Sequence, residues 1–76
     1  MKDLIFNIAK QLVDNPEKVI VEDSLEGNIL TIRINVDPSD MGKIIGKQGR
    51  IAKAIRTVAK AAGIKQDLQV HVDIVD

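Results

Sequence analysis

The sequence predicts an α+β domain with the element order αββααβ: a three-stranded mixed sheet covered on one face by three helices. Three observations lead there. Apolar residues recur at helical spacing in residues 3–14, after 37, and again from about 50 to 62. They alternate strictly with polar residues in 29–36 and 68–74, as in half-buried strands. A short β-branched run at 18–22 precedes the first alternating segment closely enough to form a hairpin with it.

Each element has its own local cause. In the first helix Leu4, Ile5, Ile8, Leu12 and Val13 share one face, with Asn7, Lys10, Gln11 and Asp14 opposite. Asn15-Pro16 stops it, because proline disfavours the helical conformation of its predecessor. Strand one covers 18–22, and Ser24-Leu25-Glu26-Gly27-Asn28 forms the turn. Strand two puts Leu30, Ile32, Ile34 and Val36 on one face and Thr31, Arg33 and Asn35 on the other. Asp37-Pro38-Ser39-Asp40 opens the next helix with an N-cap, a proline at the first helical position and an acid three residues past the cap. Gly46 and Gly49 interrupt that helix, and a third helix runs from about Arg50 to Ala62, closed by Gly63. Strand three alternates Leu68, Val70, Val72 and Ile74 against Gln69, His71 and Asp73. The roughly 30-residue helical crossover makes strands two and three parallel, so the strand order is 1-2-3 with strand two central.

A chain of 76 residues supports one domain with a thin core, and the reading assigns residues 1–76 to that single domain. Phe6 is the lone aromatic, so the core is aliphatic. The absence of cysteine excludes disulfides and thiolate metal sites, and a lone His71 cannot build a multi-histidine site. No metal or other cofactor is expected. Apolar runs are far shorter than a membrane span, and the N-terminus has no signal-type pattern, so a soluble, cytoplasmic protein is expected.

Net charge is zero, yet its distribution is uneven. Residues 41–66 hold Lys43, Lys47, Arg50, Lys53, Arg56, Lys60 and Lys65 and no acid, while all 11 acids lie outside. Electrostatic attraction is screened within about 10 Å, so a neutral chain with one basic pole can still hold a polyanion locally.

The chemistry concentrates in Met41-Gly42-Lys43-Ile44-Ile45-Gly46-Lys47-Gln48-Gly49-Arg50-Ile51. Two glycines three apart between helices permit a tight turn that a ligand's backbone can approach closely. The following helix directs its free N–H groups and positive dipole end at that turn, which is an anion site in physical terms. On that helix Ile51, Ile55, Val58 and Ala62 fall in one arc, toward the sheet; Arg50, Lys53, Arg56 and Lys60 lie opposite. A GxxG between helices is also an ordinary helix corner, and a basic stripe is also an ordinary solvated face. Their coincidence over an acid-free stretch favours phosphate binding. Other phosphate motifs fit poorly: Gly42 to Gly46 is one residue too short for a P-loop, and Gln48 stands where Ser or Thr is needed. With no Cys, no Tyr, one His and no carboxylate in the basic segment, no enzyme is expected. His71 and Arg33 read as exposed strand residues.

The run Ile44-Ile45-Gly46-Lys47-Gln48-Gly49, with Ile55 on the next helix, resembles the signature of the KH family of RNA-binding domains. The αββααβ order resembles its type II, bacterial arrangement over the whole chain, and the length resembles its stand-alone bacterial members. The resemblance implies a domain that holds about four single-stranded nucleotides. The RNA backbone would meet Gly46, Lys47, Gln48 and Gly49, helped by Lys43, Arg50 and Lys53. The bases would lie in an aliphatic groove around Ile44, Ile45, Ile55, Leu68 and Val70. It also implies RNA chaperoning or post-transcriptional regulation with a larger KH partner, and a link to cell shape and wall synthesis. Many KH sequences carry a bulky aliphatic where Ala52 stands, which implies a shallower groove floor here. Without aromatic stacking a single copy binds weakly, so a homodimer, or a heterodimer with the KH partner, is expected through surfaces near Ile51 and Ile55. The alternative is an adaptor whose partner carries most of the RNA contact.

Overall fold

The structure, a computed structural model, describes residues 1–76, the side chain of Lys47 excepted. Helix α1 (Lys2–Leu12) is followed by a 3-10 turn (Pro16–Lys18), strands β1 (Ile20–Glu26) and β2 (Ile29–Asn35), helix α2 (Pro38–Lys65) and strand β3 (Gln69–Val75). The sheet order is β1-β2-β3. β1 and β2 are antiparallel, and β2 and β3 are parallel. This is the type II KH architecture that the sequence predicts.

Alternation places the sheet faces. Leu30, Ile32, Ile34, Val70 and Val72 are buried beneath the helices, joined by Ile5 and Ala9 of α1 and by Ile44, Ala52, Ile55 and Ala59 of α2. Register aligns Glu22, Arg33 and Asp73 across the opposite face, so exposed Arg33 stands between two acids. Phe6 packs at the edge of the core with the Lys10 ammonium 4.9 Å above its ring.

Several boundaries differ from expectation. Lys18 belongs to the 3-10 turn that Pro16 opens, so β1 starts two residues later than expected. It then continues to Glu26, because Asp23, Ser24, Leu25 and Glu26 pair with Ile32, Thr31, Leu30 and Ile29. Pairing to a central strand overrides the weak strand propensity of these residues. The hairpin loop is reduced to Gly27-Asn28, with Gly27 at φ +59°, as a two-residue turn with glycine first requires.

The two expected crossover helices are the two arms of one element, α2. A straight helix of 28 residues would measure about 42 Å. The molecule's longest dimension is 34 Å. The bend has a local cause: Gln48 and Gly49 are consecutive left-handed residues, at φ +63° and +69°. A right-handed helix cannot pass through such a pair without changing direction.

Gly63 does not close the helix. It is buried inside the last turn, where a Cβ would lie 2.4 Å from Val70 Cγ2 and 3.0 Å from the Leu68 carbonyl oxygen. Glycine here lets α2 approach β3. The left-handed closing residue is Asp67, at φ +57°. Leu68 N–H donates to the Gly63 carbonyl (2.8 Å) and Asp67 N–H to that of Ile64 (3.2 Å), the paired bonds of a Schellman ending.

The buried face of the second arm is also rotated from expectation. Ala52, Ile55, Ala59 and Gly63 face the sheet, whereas Val58 is 37 % exposed and Ile51 and Ala62 are half-buried. Small residues allow the closer packing, and Ala52 is a core contact at 1 % exposure.

Candidate nucleic-acid interface

The first turn of α2 anchors the site. Asp37 caps it, its carboxylate accepting from the Ser39 N–H at 2.9 Å and from the Ser39 hydroxyl at 2.7 Å. These bonds, the backbone one foremost, hold its carboxyl below the usual range. Asp40 does not turn back onto the cap, as a capping box would require. Its buried carboxylate accepts from the Asp14 N–H (3.0 Å), the Asn15 N–H (3.2 Å) and Asn15 Nδ2 (3.1 Å). α1 ends at Leu12, so these N–H groups belong to the connection that follows it. The Asp14 backbone bond, followed by the bonds from Asn15, outweighs burial and holds the Asp40 carboxyl low. The arm carrying the GxxG run is thereby tied to the end of α1.

Along that arm Gly42 is exposed and Gly46 half-buried, and a Cβ built on either meets nothing within 4 Å. The same holds for Gly49. Glycine inside a helix costs about 0.5–1 kcal/mol relative to alanine. Gly63 recovers that cost in close packing; Gly42 and Gly46 gain nothing from any internal neighbour. Their bare backbone faces open space, beside the left-handed pair Gln48 and Gly49.

The predicted site residues divide into distinct environments. Gln48 and Arg50 are exposed at the turn, and Lys53 is exposed one turn further on. The side chain of Lys47 lies outside the described part of the structure. Lys43 is exposed but engaged: its Nζ lies 3.0 Å from Asp14 Oδ1. The two are 29 positions apart, so nothing local in the sequence signals the pair. Of the aliphatic set, Ile44, Ile55 and Val70 are core side chains, Leu68 is half-buried, and Ile45 is 48 % exposed. Arg56 is half-buried, and Lys60 extends the basic row toward the end of α2.

Two surfaces near residues named from the sequence take their outline from the tertiary structure. Ile51, Ala54 and Val58 form an apolar strip on α2 between the core face and solvent; the spacing was readable, but its orientation was not. A cavity of about 590 Å³ lies between the last turns of α2 and the start of β3. Among the described residues no cluster of His, Asp or Glu could hold a metal, and no helix is long and apolar enough to cross a membrane.

Comparison with known proteins follows the same outline. The family model for the KhpA/KhpB KH domain matches residues 2–74. The RNA-binding protein KhpA of Clostridium perfringens is 56 % identical over 99 % of this chain and 100 % of its own length. KhpA of Halalkalibacterium halodurans is 51 % identical over the full length of both chains. KhpA of Aquifex aeolicus is 43 % identical over 100 % of this chain and 96 % of its own. No solved structure matches. With its sheet order, its glycine-flanked turn and a family match over residues 2–74, this chain belongs to the KhpA/KhpB family of KH domains.

Proposed function

We propose that this chain binds single-stranded RNA, gripping the strand's phosphates with Gly46-Lys47-Gln48-Gly49. One observation carries the proposal: Gly46 presents backbone to open space within α2, at a cost in helix stability that no internal contact offsets, beside the left-handed pair Gln48 and Gly49. The printed names of the relatives, RNA-binding proteins, support the same ligand. Arg50 and Lys53 supply charge beside the turn. Lys43 joins them when a phosphate displaces Asp14. Bases rest against Ile45 and Leu68, with Ile44, Ile55 and Val70 supporting that surface from beneath. The chain acts without catalysis, in the cytoplasm, as an RNA chaperone or post-transcriptional regulator beside a larger KhpB-like KH protein, in control of cell shape and wall synthesis.

The test is the double substitution Lys47→Asp, Gln48→Asp. Acids are tolerated at a helix N-terminus, so the fold persists while two negative charges occupy the phosphate position. RNA binding is expected to fall steeply with an unchanged circular dichroism spectrum. Undiminished binding refutes the phosphate assignment.

A second reading, protein pairing, is favoured by the Ile51–Ala54–Val58 strip. Ile55 is in the core, so an interface on this helix, with a second copy or with the KH partner, runs over those three residues. Sedimentation of the parent and of Val58→Glu, with and without RNA, tests it. A parent that stays monomeric throughout refutes pairing between copies.

A further inference from the structure

We propose that the free edge of β1 is a docking site for an extended peptide of another protein, one that carries apolar and basic residues and adds to the sheet as a further strand. The inference does not rest on the RNA-binding reading. β1 lies at one end of the sheet order β1-β2-β3, so its outer side has no strand beside it. Glu26 and Ile29 close the two-residue turn Gly27-Asn28 and exchange backbone bonds. Antiparallel bonding then alternates, so Ser24 and Glu22 also bond to β2, while Val21, Asp23 and Leu25 turn their N–H and carbonyl groups to the outer side. Among the described residues, no loop or cap bonds to these groups.

Side chains along the edge select the partner. Leu25 shares a sheet face with buried Val21 and pairs with buried Leu30, yet it is 58 % exposed. The cover that α1 gives the start of β1 does not reach it. A cavity of about 320 Å³ lies where α1 meets the start of β1, lined by Phe6, Val19, Ile20 and Val21 with Lys2 and Asp3. From Val19 to Ile32 the chain holds Glu22, Asp23 and Glu26 and no base. All three acids are exposed, and among the described residues none is in an ion pair. An added strand sets its residues directly opposite those of β1. The pattern that fits puts an apolar residue opposite Val21, at the cavity, another opposite Leu25, and a base opposite each of Glu22, Asp23 and Glu26.

Charges on an edge strand also deter aggregation. That role needs no cavity, and exposed Ile20 and Leu25 work against it. A second copy of β1 is a poor occupant. Antiparallel pairing about Ser24 sets Glu22 against Glu26, and pairing about Asp23 sets that acid against itself; like charges directly opposite are destabilising. The same acids repel a nucleic acid. α2, which carries the GxxG turn, packs on β3 at the other end of the sheet, so peptide and RNA can be held together.

The test titrates a synthetic peptide blocked at both ends, Lys-Val-Thr-Lys-Lys-Val, into isotope-labelled protein and reads amide shifts by NMR. Antiparallel to β1, its residues fall opposite Glu26 through Val21 in that order. Saturable shifts are expected at Val21, Asp23 and Leu25 and at Phe6, and none with a peptide carrying glutamate in place of lysine. Leu25→Pro removes an outward N–H without breaking a bond to β2, and the double variant Glu22→Lys, Asp23→Lys reverses the charge while keeping the backbone. Each should weaken the peptide by roughly tenfold or more. The Lys47→Asp, Gln48→Asp variant should bind it like the parent. Should Leu25→Pro fail to fold by circular dichroism, the charge variant decides. No saturable shift, shifts confined to other elements, or undiminished binding by the charge variant overturns the proposal. A free parent that self-associates, and that the charge variant leaves as a monomer, would make the occupant a second copy, again against it.

Discussion

Gly46→Ala should move stability and RNA affinity in opposite directions. Gly46 lies within α2, is not among the positive-φ residues, and has open space where a Cβ would stand. Alanine therefore meets no clash, gains helix propensity and reduces the freedom of the unfolded chain. The expected gain is about 0.5–1 kcal/mol. For a domain this small that raises the melting temperature by roughly 2–8 °C, readable by circular dichroism. The same methyl group would stand between the backbone and an approaching phosphate. Loss of one charge-assisted hydrogen bond is worth about 1.5–3 kcal/mol, a weakening of roughly tenfold or more in titration with a labelled single strand. Gly42→Ala, one turn earlier and equally unobstructed, is the control for helix propensity: it should stabilise similarly with a smaller effect on RNA. A stabilised Gly46→Ala that binds RNA as well as the parent would refute close backbone approach as the reason for this glycine. A destabilised variant would refute the reading of the open space.

Other outcomes follow from the same geometry. Gly63→Ala should destabilise by about 1–3 kcal/mol in denaturant titration, since its Cβ would meet Val70 and the Leu68 carbonyl; a neutral result would show that α2 can move off β3 at little cost. Asp40 and Asp37 have lowered carboxyl pKa values in the folded chain, so the stability they contribute is present above the unfolded carboxylate value near pH 4 and is lost as pH falls through the folded values. The melting temperature should therefore drop on acidification below about pH 4. Asp40→Asn, whose amide would face N–H donors, should be less stable at neutral pH and show a shallower acid drop; an unchanged pH profile would remove Asp40 from this role. Lys53→Ala should reduce the log–log salt slope of RNA binding by about 0.7 if Lys53 contacts one phosphate, and an unchanged slope would return it to the solvated face.

Much of this molecule was legible because its signals are local. Strict alternation in Leu30–Val36 and Leu68–Ile74 named two strands and their buried faces, and the length of the crossover made them parallel. Asp37-Pro38 marked a helix start, and the acid-free basic segment around Gly46-Lys47-Gln48-Gly49 marked the candidate site. The misjudged features depend on partners distant in sequence. β1 extends through polar residues because β2 supplies hydrogen bonds along its whole length. The buried face of α2 follows Ala52, Ala59 and Gly63 rather than the bulkier Ile51 and Val58, because proximity to β3 selects small side chains. Asp40 serves the residues after α1 instead of its own cap, and Lys43 meets Asp14, since folding brings the end of α1 onto the first turns of α2. Periodicity along the chain determined which elements form and where charge collects. The choice of side chains that meet across elements, and hence which glycines pack and which stay bare, was decided only in the tertiary structure, because close packing depends on distances that no single segment contains.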